Sequence, residues 1–201
     1  MARPPVIETP AELCLALDVS SLRLTDDQLI RLFRDNEEYQ FELSAAGELI
    51  IMSPANNKTD LKNATITTCL RIWARKDGTG VSFGSNTLFT LPNGAKRGPD
   101  AAWILKERWD RLSEEEQEGF SKIAPDFVIE LCSKSDRLAR LKEKMEEYMA
   151  NGVLLGWLLE PQQNRATIYR AGHAPQEIER PGILAGDPVL PGFRFAFKEI
   201  L

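Results

Sequence analysis

Apolar and polar positions in the first half of the chain follow two periods, one typical of strands and the other of helices. The stretch "YQFELSAAGELIIMS" has two strand-like runs around an Ala-Ala-Gly turn and predicts a hairpin. Before it, "LTDDQLIRLFRDN" begins with a capping box and predicts a short helix from Asp26 to about Asp35. After it, the pattern predicts an amphipathic helix from about Asn57 to Lys76. Its apolar face is formed by Ile66, Cys69, Leu70 and Trp73.

The second half of the chain carries the strongest strand signal. The segment "DFVIELC" is a nearly continuous apolar run, as expected of a central strand covered on both faces. A charged stretch, "KERWDRLSEEEQEGF", separates it from the strand-like "DAAWIL". A helix is then predicted from about Asp136 to Ala150, followed by a strand pair in "VLLGWLLEP" and "RATIYRA".

This order of elements predicts a single α+β domain over residues 1–201, with a mixed central sheet flanked by helices. Residues 1–24 are expected to form an irregular N-terminal segment, and residues 171–201 a C-terminal β extension. The hydrophobic fraction of 43% and the charged fraction of 27% are those of an ordinary globular protein. Three widely spaced cysteines match neither a paired zinc motif nor a disulfide framework, and no signal peptide is recognised. We therefore expect a cytoplasmic protein without membrane contact.

Charge and motif content narrow the classes of function. A net charge of −5 argues against a general nucleic-acid binder, although local basic patches and metal ions can still govern phosphate contact. The single histidine, His173, lies in a Gly/Pro-rich loop, which excludes a Ser-His or Cys-His catalytic group. The sequence contains no P-loop, and "GTGVSFG" lacks the spacing of a dinucleotide-binding motif.

Two carboxylates on predicted neighbouring strands form the strongest candidate for chemistry. Asp100 opens "DAAWIL" directly after a proline, and Glu130 lies inside the apolar run "FVIELC". A charge there is costly unless it is paired or bound to a metal ion. Two such carboxylates suit Mg²⁺ or Mn²⁺, and an ion pair between Glu130 and a basic residue at the sheet edge is the alternative. Asp126 would lie about 13 Å from Glu130 along an extended strand, so it is interpreted as a strand-entry residue.

Basic and amide side chains complete the candidate group. Lys142 and Lys144 flank the apolar stripe of the last predicted helix on opposite sides, and periodicity does not choose between them. Asn63 lies on the apolar face of its helix. Its side-chain amide either forms hydrogen bonds with a neighbouring residue or points into a cleft. Lys96 and Arg97, close to Asp100, are candidates for contacts with a phosphate backbone.

Four motifs in a fixed order connect the chain to a known family. "GELIIMSP", "RGPDAAWI", "PDFVIELCS" and "KMEEYMANGVLLGWLLEP" resemble a large bacterial family of restriction-endonuclease-like proteins within the PD-(D/E)XK nuclease superfamily. The resemblance runs from about Phe41 to Arg170, with a further "VLPGFRF" near the end. It implies a restriction-endonuclease-like fold, with Asp100 and Glu130 as acids of the site and Lys144 as its lysine. The superfamily's usual lysine position, two residues after the acid, is Cys132 here.

The function implied by this resemblance is metal-dependent cleavage of DNA phosphodiester bonds. Asp100 and Glu130 would bind Mg²⁺ or Mn²⁺, with Glu48 as a third candidate ligand, and Asn63, Lys96 and Arg97 would contact the nucleic acid. A homodimer is expected, because one site per chain cuts one strand. After "MSP", similar members often carry Glu or His, whereas this chain has "ANNKTDLKNA". That departure keeps a second hypothesis open, a weakly active or inactive module that binds DNA or protein.

Overall fold

A computed structural model describes residues 14–134 and 136–201 of the chain. The helices are α1 (Asp26–Arg34), α2 (Asn57–Asp77), α3 (Lys106–Trp109), α4 (Glu114–Glu118) and α5 (Leu138–Ala150). The strands of the first half are β1 (Cys14–Asp18), β2 (Gln40–Leu43), β3 (Glu48–Met52), β4 (Gly80–Gly84), β5 (Phe89–Thr90), β6 (Lys96–Arg97) and β7 (Ala101–Leu105). Those of the second half are β8 (Phe127–Leu131), β9 (Leu155–Glu160), β10 (Arg165–Arg170), β11 (Gln176–Glu179), β12 (Ile183–Ala185) and β13 (Arg194–Ala196). The predicted α+β class, with a mixed sheet flanked by helices, is confirmed.

The first sheet is antiparallel and contains the predicted hairpin. Its five strands are ordered β1-β3-β2-β6-β5, and β2 and β3 are joined by the turn that ends at Gly47. Gly47 has φ of +85°, a conformation that favours glycine. Residues 14–18 pair with β3 and form an edge strand, although this stretch was expected to be irregular. Its side chains are mostly exposed, so the sequence carries little of the periodicity by which strands are recognised.

The second sheet is mixed and lies at the centre of the molecule. Its order is β11-β10-β9-β8-β7-β4, and all neighbours are antiparallel except β8 and β9. Helix α5 connects these two parallel strands, as such a crossover requires. Every residue of β8 is buried, which explains its continuous apolar sequence.

Both faces of the central sheet are covered. Helix α2 and the last twenty residues pack on one face, around Ile66, Trp157, Phe193 and Phe195. Helix α5 and the segment from β5 to β6 pack on the other face, around Phe89, Met145 and Tyr148. The beginning of α2, the end of β8 and one side of α5 surround a common cleft.

Candidate active site

Asp100 and Glu130 face each other across neighbouring strands. In the antiparallel ladder of β7 and β8, Ala101 pairs with Ile129, so the next position in register sets Asp100 opposite Glu130. Residues directly opposite in such a ladder project to the same face, with Cβ atoms about 4.5–5.5 Å apart. The backbone N–H of Leu131 donates to Asp100 at 2.7 Å, which ties the two strand ends together.

Asp100 is held by Asn63 as well as by the backbone. The side-chain amide of Asn63, on α2, donates to Asp100 Oδ1 at 2.8 Å. Burial raises the pKa of Asp100 above its usual value, although these hydrogen bonds and the nearby Lys144 oppose the shift. Asn63 is itself buried, and its Oδ1 has no hydrogen-bond partner among the described residues. Asn63 therefore positions Asp100 and leaves an acceptor available in the wall of the cleft.

Glu130 is a buried carboxyl group with an unusually high proton affinity. It is 3% exposed, and its Oε1 accepts a hydrogen bond from the Tyr148 hydroxyl at 3.1 Å. The same oxygen lies 2.8 Å from Nζ of Lys144. Burial raises the pKa of Glu130 to about 8, and repulsion from Asp100 and Glu42 adds to this effect while Lys144 opposes it. A second positive charge in the cleft would favour the ionised form.

Lys144 lies at the centre of the charged group. Its amine is 2.7 Å from Oε1 of Glu42 and 2.8 Å from Oε1 of Glu130, and it donates to the Gly98 carbonyl at 3.0 Å. Burial favours the neutral amine, but attraction from Glu130 and Glu42 outweighs it and raises the pKa of Lys144 above its ordinary value. Lys144 is therefore a permanent cation at neutral pH.

The two lysines that helical periodicity left equivalent differ sharply in the structure. The side chain of Lys144 is 12% exposed and points into the cleft, whereas that of Lys142 is 38% exposed. Lys142 instead forms an ion pair of 2.8 Å with Glu177 on β11. The structure thus brings Lys144, and not Lys142, to Asp100 and Glu130.

Glu42 is a site residue that the sequence prediction did not include. It lies on β2, is 4% exposed, and accepts a hydrogen bond from the Gly98 backbone N–H at 2.9 Å. Its other oxygen is 3.0 Å from Nη1 of Arg97. Burial alone would raise the pKa of Glu42, but attraction from Lys144 and Arg97 lowers it. The available signal was an acid within the apolar run "YQFEL", the same signal that identified Glu130.

The structure does not bring Glu48 into this group. Glu48 begins β3 and is exposed, and it lines a neighbouring cavity together with Glu42 and Arg97. Its position at the solvent end of the hairpin follows from the register, in which Glu42 pairs with Ile50. Glu42, rather than Glu48, is the carboxylate that the hairpin supplies to Lys144.

Lys96 and Arg97 are buried, not exposed in a turn. Nζ of Lys96 is 2.8 Å from Asp26, and Arg97 links Glu42 to Glu147 on α5 with a 2.5 Å contact to the latter. Both cations therefore form ion pairs with carboxylates of the same chain. The pairs of Arg97 connect the first sheet to α5. Contact of either residue with a phosphate stays a prediction that requires these ion pairs to open.

The four residues Asn63, Asp100, Glu130 and Lys144 line one cleft of about 160 Å³. No group of three His, Cys, Asp or Glu side chains within residues 14–134 and 136–201 is arranged to hold a metal ion. Mg²⁺ is commonly held by one or two carboxylates, with water and substrate phosphates completing its coordination. Asp100 and Glu130 fit this manner of binding, because they are opposed, buried and mutually repelling.

A family model described as "Putative restriction endonuclease" and named Uma2 matches residues 26–198. The chain belongs to this family. Membership in the Uma2 family supports a nuclease function and confirms the resemblance drawn from the motifs. No curated protein matches the chain.

A solved structure shares the fold of this Uma2 protein. The crystal structure of a "putative nuclease belonging to DUF820" from Anabaena variabilis superposes with a TM-score of 0.72 and 18% sequence identity. The match covers 88% of this chain and 97% of the other. None of the helices in the described part of the chain is both long and apolar enough to cross a membrane.

Proposed function

We propose that this Uma2 protein is a metal-dependent endonuclease that hydrolyses DNA phosphodiester bonds. The observation that carries the proposal is the position of Asp100 opposite Glu130, with the amine of Lys144 against Glu130. Family membership supports the nuclease class, and the opposed acids support the dependence on metal.

Asp100 and Glu130 are the residues that would hold Mg²⁺ or Mn²⁺. Such an ion lowers the pKa of a bound water and neutralises charge on the phosphoryl group. Asn63 and the Leu131 N–H keep Asp100 in position through one hydrogen bond to each of its oxygens. The Tyr148 hydroxyl donates a hydrogen bond to Oε1 of Glu130 and so orients this carboxyl group.

Lys144 would stabilise negative charge on the reacting phosphate or orient the attacking water. Its amine has three N–H bonds, and Glu42, Glu130 and the Gly98 carbonyl already receive them. Contact with substrate therefore requires Lys144 to exchange one of these partners. The Glu42 carboxylate, held by Arg97 and the Gly98 N–H, would keep the amine charged and in place during that exchange.

We further propose that the protein acts as a homodimer. A single site cleaves one strand at a time, and a symmetric pair of chains presents two sites to the two strands of a duplex. Sedimentation of the protein with and without a DNA duplex tests this, and a monomer in both conditions would contradict it.

Cleavage of plasmid and oligonucleotide DNA with Mg²⁺ or Mn²⁺ tests the proposed activity. We expect the wild type to cut in the presence of metal and the Glu130→Gln variant to be inactive, with Glu115→Gln, an exposed position on α4, as the matched control. Equal cutting by wild type and Glu130→Gln would refute the assignment. Absence of cutting with DNA binding retained would favour a binding module instead, and cleavage of RNA alone would change the substrate.

Binding of metal has a readout that does not depend on turnover. An ion that binds only the folded protein raises the unfolding temperature in proportion to RT ln(1 + [L]/Kd). We expect Mn²⁺ to raise the Tm of the wild type and of Glu115→Gln, and to leave the Tm of Glu130→Gln nearly unchanged. Equal Tm shifts in all three proteins would place the ion elsewhere.

A further inference from the structure

Three lysines, which we call the rim lysines, each directly adjoin in sequence a residue that lines the cleft. They are Lys58, Lys62 and Lys134. We propose that these lysines form a phosphate-binding site that holds the backbone of DNA beside Asp100 and Glu130. This inference rests on the proposed nuclease function and adds to it the surface on which the substrate lies.

The position of the lysines follows from the elements that build the cleft. Lys58 and Lys62 are one turn apart in the first two turns of α2. The same turns supply Thr59 and Asn63 to the wall of the cleft. Lys134 comes from the loop after β8, directly after Ser133, which also lines the cleft. Two separate elements therefore bring basic residues to one side of the site.

Lys62 lies close enough to Lys134 and to Lys58 to be repelled by both. The pKa of Lys62 is lowered by its partial burial and then by the positive charges of Lys134 and Lys58. The nearby acids are Asp60, which is exposed on α2, and Asp136, whose Oδ2 accepts from the Ser133 backbone N–H at 2.7 Å. Repulsion of Lys62 by these two lysines is unfavourable in the free protein, and a bound polyanion would relieve it.

None of the three lysines forms an ion pair within residues 14–134 and 136–201. By contrast, the cations first expected to contact nucleic acid, Lys96 and Arg97, are occupied by internal carboxylates. The rim lysines, unlike Lys96 and Arg97, therefore have positive charges that carboxylates of the described residues leave unpaired. This local patch offers positive charge to a phosphate backbone in a chain whose net charge is −5.

A second observation indicates that the cleft takes an occupant. Oδ1 of Asn63 is buried in its wall without a hydrogen-bond partner among the described residues. Buried polar atoms are rarely left unsatisfied, since each costs about 1–3 kcal/mol. A DNA phosphodiester has no N–H or O–H group, so a water molecule that bridges the bound backbone and the cleft wall would donate to this oxygen. The orphaned acceptor lies one residue from Lys62, on the same helix.

Fluorescence anisotropy of a short fluorescein-labelled DNA duplex measures binding to the proposed site. The measurement omits divalent metal ions so that no strand is cut. The test protein carries Lys58→Gln, Lys62→Gln and Lys134→Gln. The control carries Arg75→Gln, Lys76→Gln and Lys122→Gln, which remove the same charge from exposed positions that do not line the cleft. Circular dichroism of both proteins verifies that they are folded.

We expect the test variant to bind at least about tenfold more weakly than the control at low salt. We also expect the slope of log affinity against log salt to fall by about two to three, since each phosphate contact contributes about 0.9 to that slope. Equal affinities and slopes for test and control would overturn the proposal, as would a wild type that does not bind the duplex. Preference for RNA of the same sequence, lost in the test variant, would overturn DNA as the ligand.

The DNA-binding test and the cleavage assay can fail independently of each other. If wild type and Glu130→Gln show no metal-dependent difference in cutting while the lysine variants differ in binding, the nuclease proposal fails and the phosphate site stands. If cleavage depends on Glu130 but the lysine variant has an unchanged KM for DNA and unchanged binding, the phosphate site fails and the nuclease stands.

Discussion

Glu130 makes the stability of the metal-free protein depend on pH, and the surroundings of Glu130 determine the direction of that dependence. The pKa of Glu130 is raised from 4.5 to about 8 in the folded state, first of all by burial. Between these two values the folded protein binds more protons at this site than the unfolded chain does, so the free energy of unfolding falls as pH rises. The amine of Lys144 favours the ionised form of Glu130, but it does not offset the cost of burial.

We therefore expect Glu130→Gln to gain stability over the wild type as pH rises from about 4.5 to about 8. The difference grows by at most about 1.4 kcal/mol per pH unit. Urea unfolding across this range in EDTA measures it, with Glu115→Gln as the control. A difference that does not change with pH, or that falls, would contradict the buried and mostly protonated Glu130 described above.

Lys144 and Lys142 offer a matched pair of substitutions on one helix. Lys144→Gln removes a cation from the buried, ionised Glu42 and also removes the contact of the amine with Glu130. Removal of one partner from a buried ion pair costs about 3–5 kcal/mol, so we expect a large loss of stability together with the loss of cleavage. Lys142→Gln removes an exposed pair with Glu177, and we expect a change within about 1 kcal/mol. Chemical denaturation and DNA cleavage assays compare the two, and equal effects would contradict the assignment.

Part of the site follows from sequence and part requires the fold. Asp100 and Glu130 are recognisable because a carboxylate at the beginning or middle of an apolar strand needs a partner. The choice of Lys144 needed the family resemblance, since Lys142 lies at an equivalent angle on the helix. Glu42 gives the same signal as Glu130, but only the packing of β2 near α5 shows that it reaches the same amine, at 2.7 Å. The burial of Lys96 and Arg97 depends on contacts with α1 and α5 that no local pattern encodes.

At the scale of elements, β9 and α5 approach each other closely at Gly156. A Cβ atom added at Gly156 would be 2.4 Å from Cε of Met145 and 3.4 Å from Cγ2 of Val128. Met145 is the neighbour of Lys144 on α5, so a displacement of the helix would move the amine relative to Glu130. Absence of a side chain at this position of β9 thus contributes to the geometry of the cleft.

We expect Gly156→Ala to cost about 1–3 kcal/mol of stability through overpacking, and to reduce cleavage even where the protein remains folded. Gly182→Ala is the control, because nothing lies within 4 Å of a Cβ added there. Urea midpoints and single-turnover cleavage rates measure the two effects. Unchanged stability and rate in Gly156→Ala would show that Met145 adjusts without moving α5.

Strong periodicity explains which elements were predictable. Helix α2, the β2–β3 hairpin, β8 and α5 were predicted because each repeats apolar residues over several turns or fills a buried strand. The two-residue strands β5 and β6 are too short to show a period, and β1 is an exposed edge. Such strands form because they pair with residues that are distant in sequence, and the intrinsic β-propensity of a short segment does not reveal this pairing.

At the scale of the whole molecule, the last twenty residues complete one layer of the core. This part of the predicted C-terminal extension buries six apolar side chains against the central sheet and α2: Leu184, Leu190, Phe193, Phe195, Phe197 and Ile200. The ring of Phe193 stacks on Trp157 with centroids 5.6 Å apart. The alternating "GFRFAF" therefore marks residues that cover the face of the sheet opposite to α5.

We expect Phe193→Ala to lower the free energy of unfolding by about 3–5 kcal/mol. Phe193 is 1% exposed, whereas Ile183 in the same segment is 68% exposed and serves as the control substitution Ile183→Ala. The control is expected to change stability by no more than about 0.5 kcal/mol. Similar losses for both variants, measured by denaturant unfolding, would mean that the segment does not pack on the sheet as described.

The same aromatic contacts give the protein an internal optical reporter. The indole N–H of Trp73 donates to the carbonyl of Pro191 at 3.2 Å, and Trp157 is fully buried against Phe193. Detachment of the last twenty residues would expose both indoles to water and shift their emission to longer wavelength. Intrinsic fluorescence can thus follow the docking of this segment in unlabelled protein, separately from events at the cleft, because neither Trp73 nor Trp157 lines the cleft.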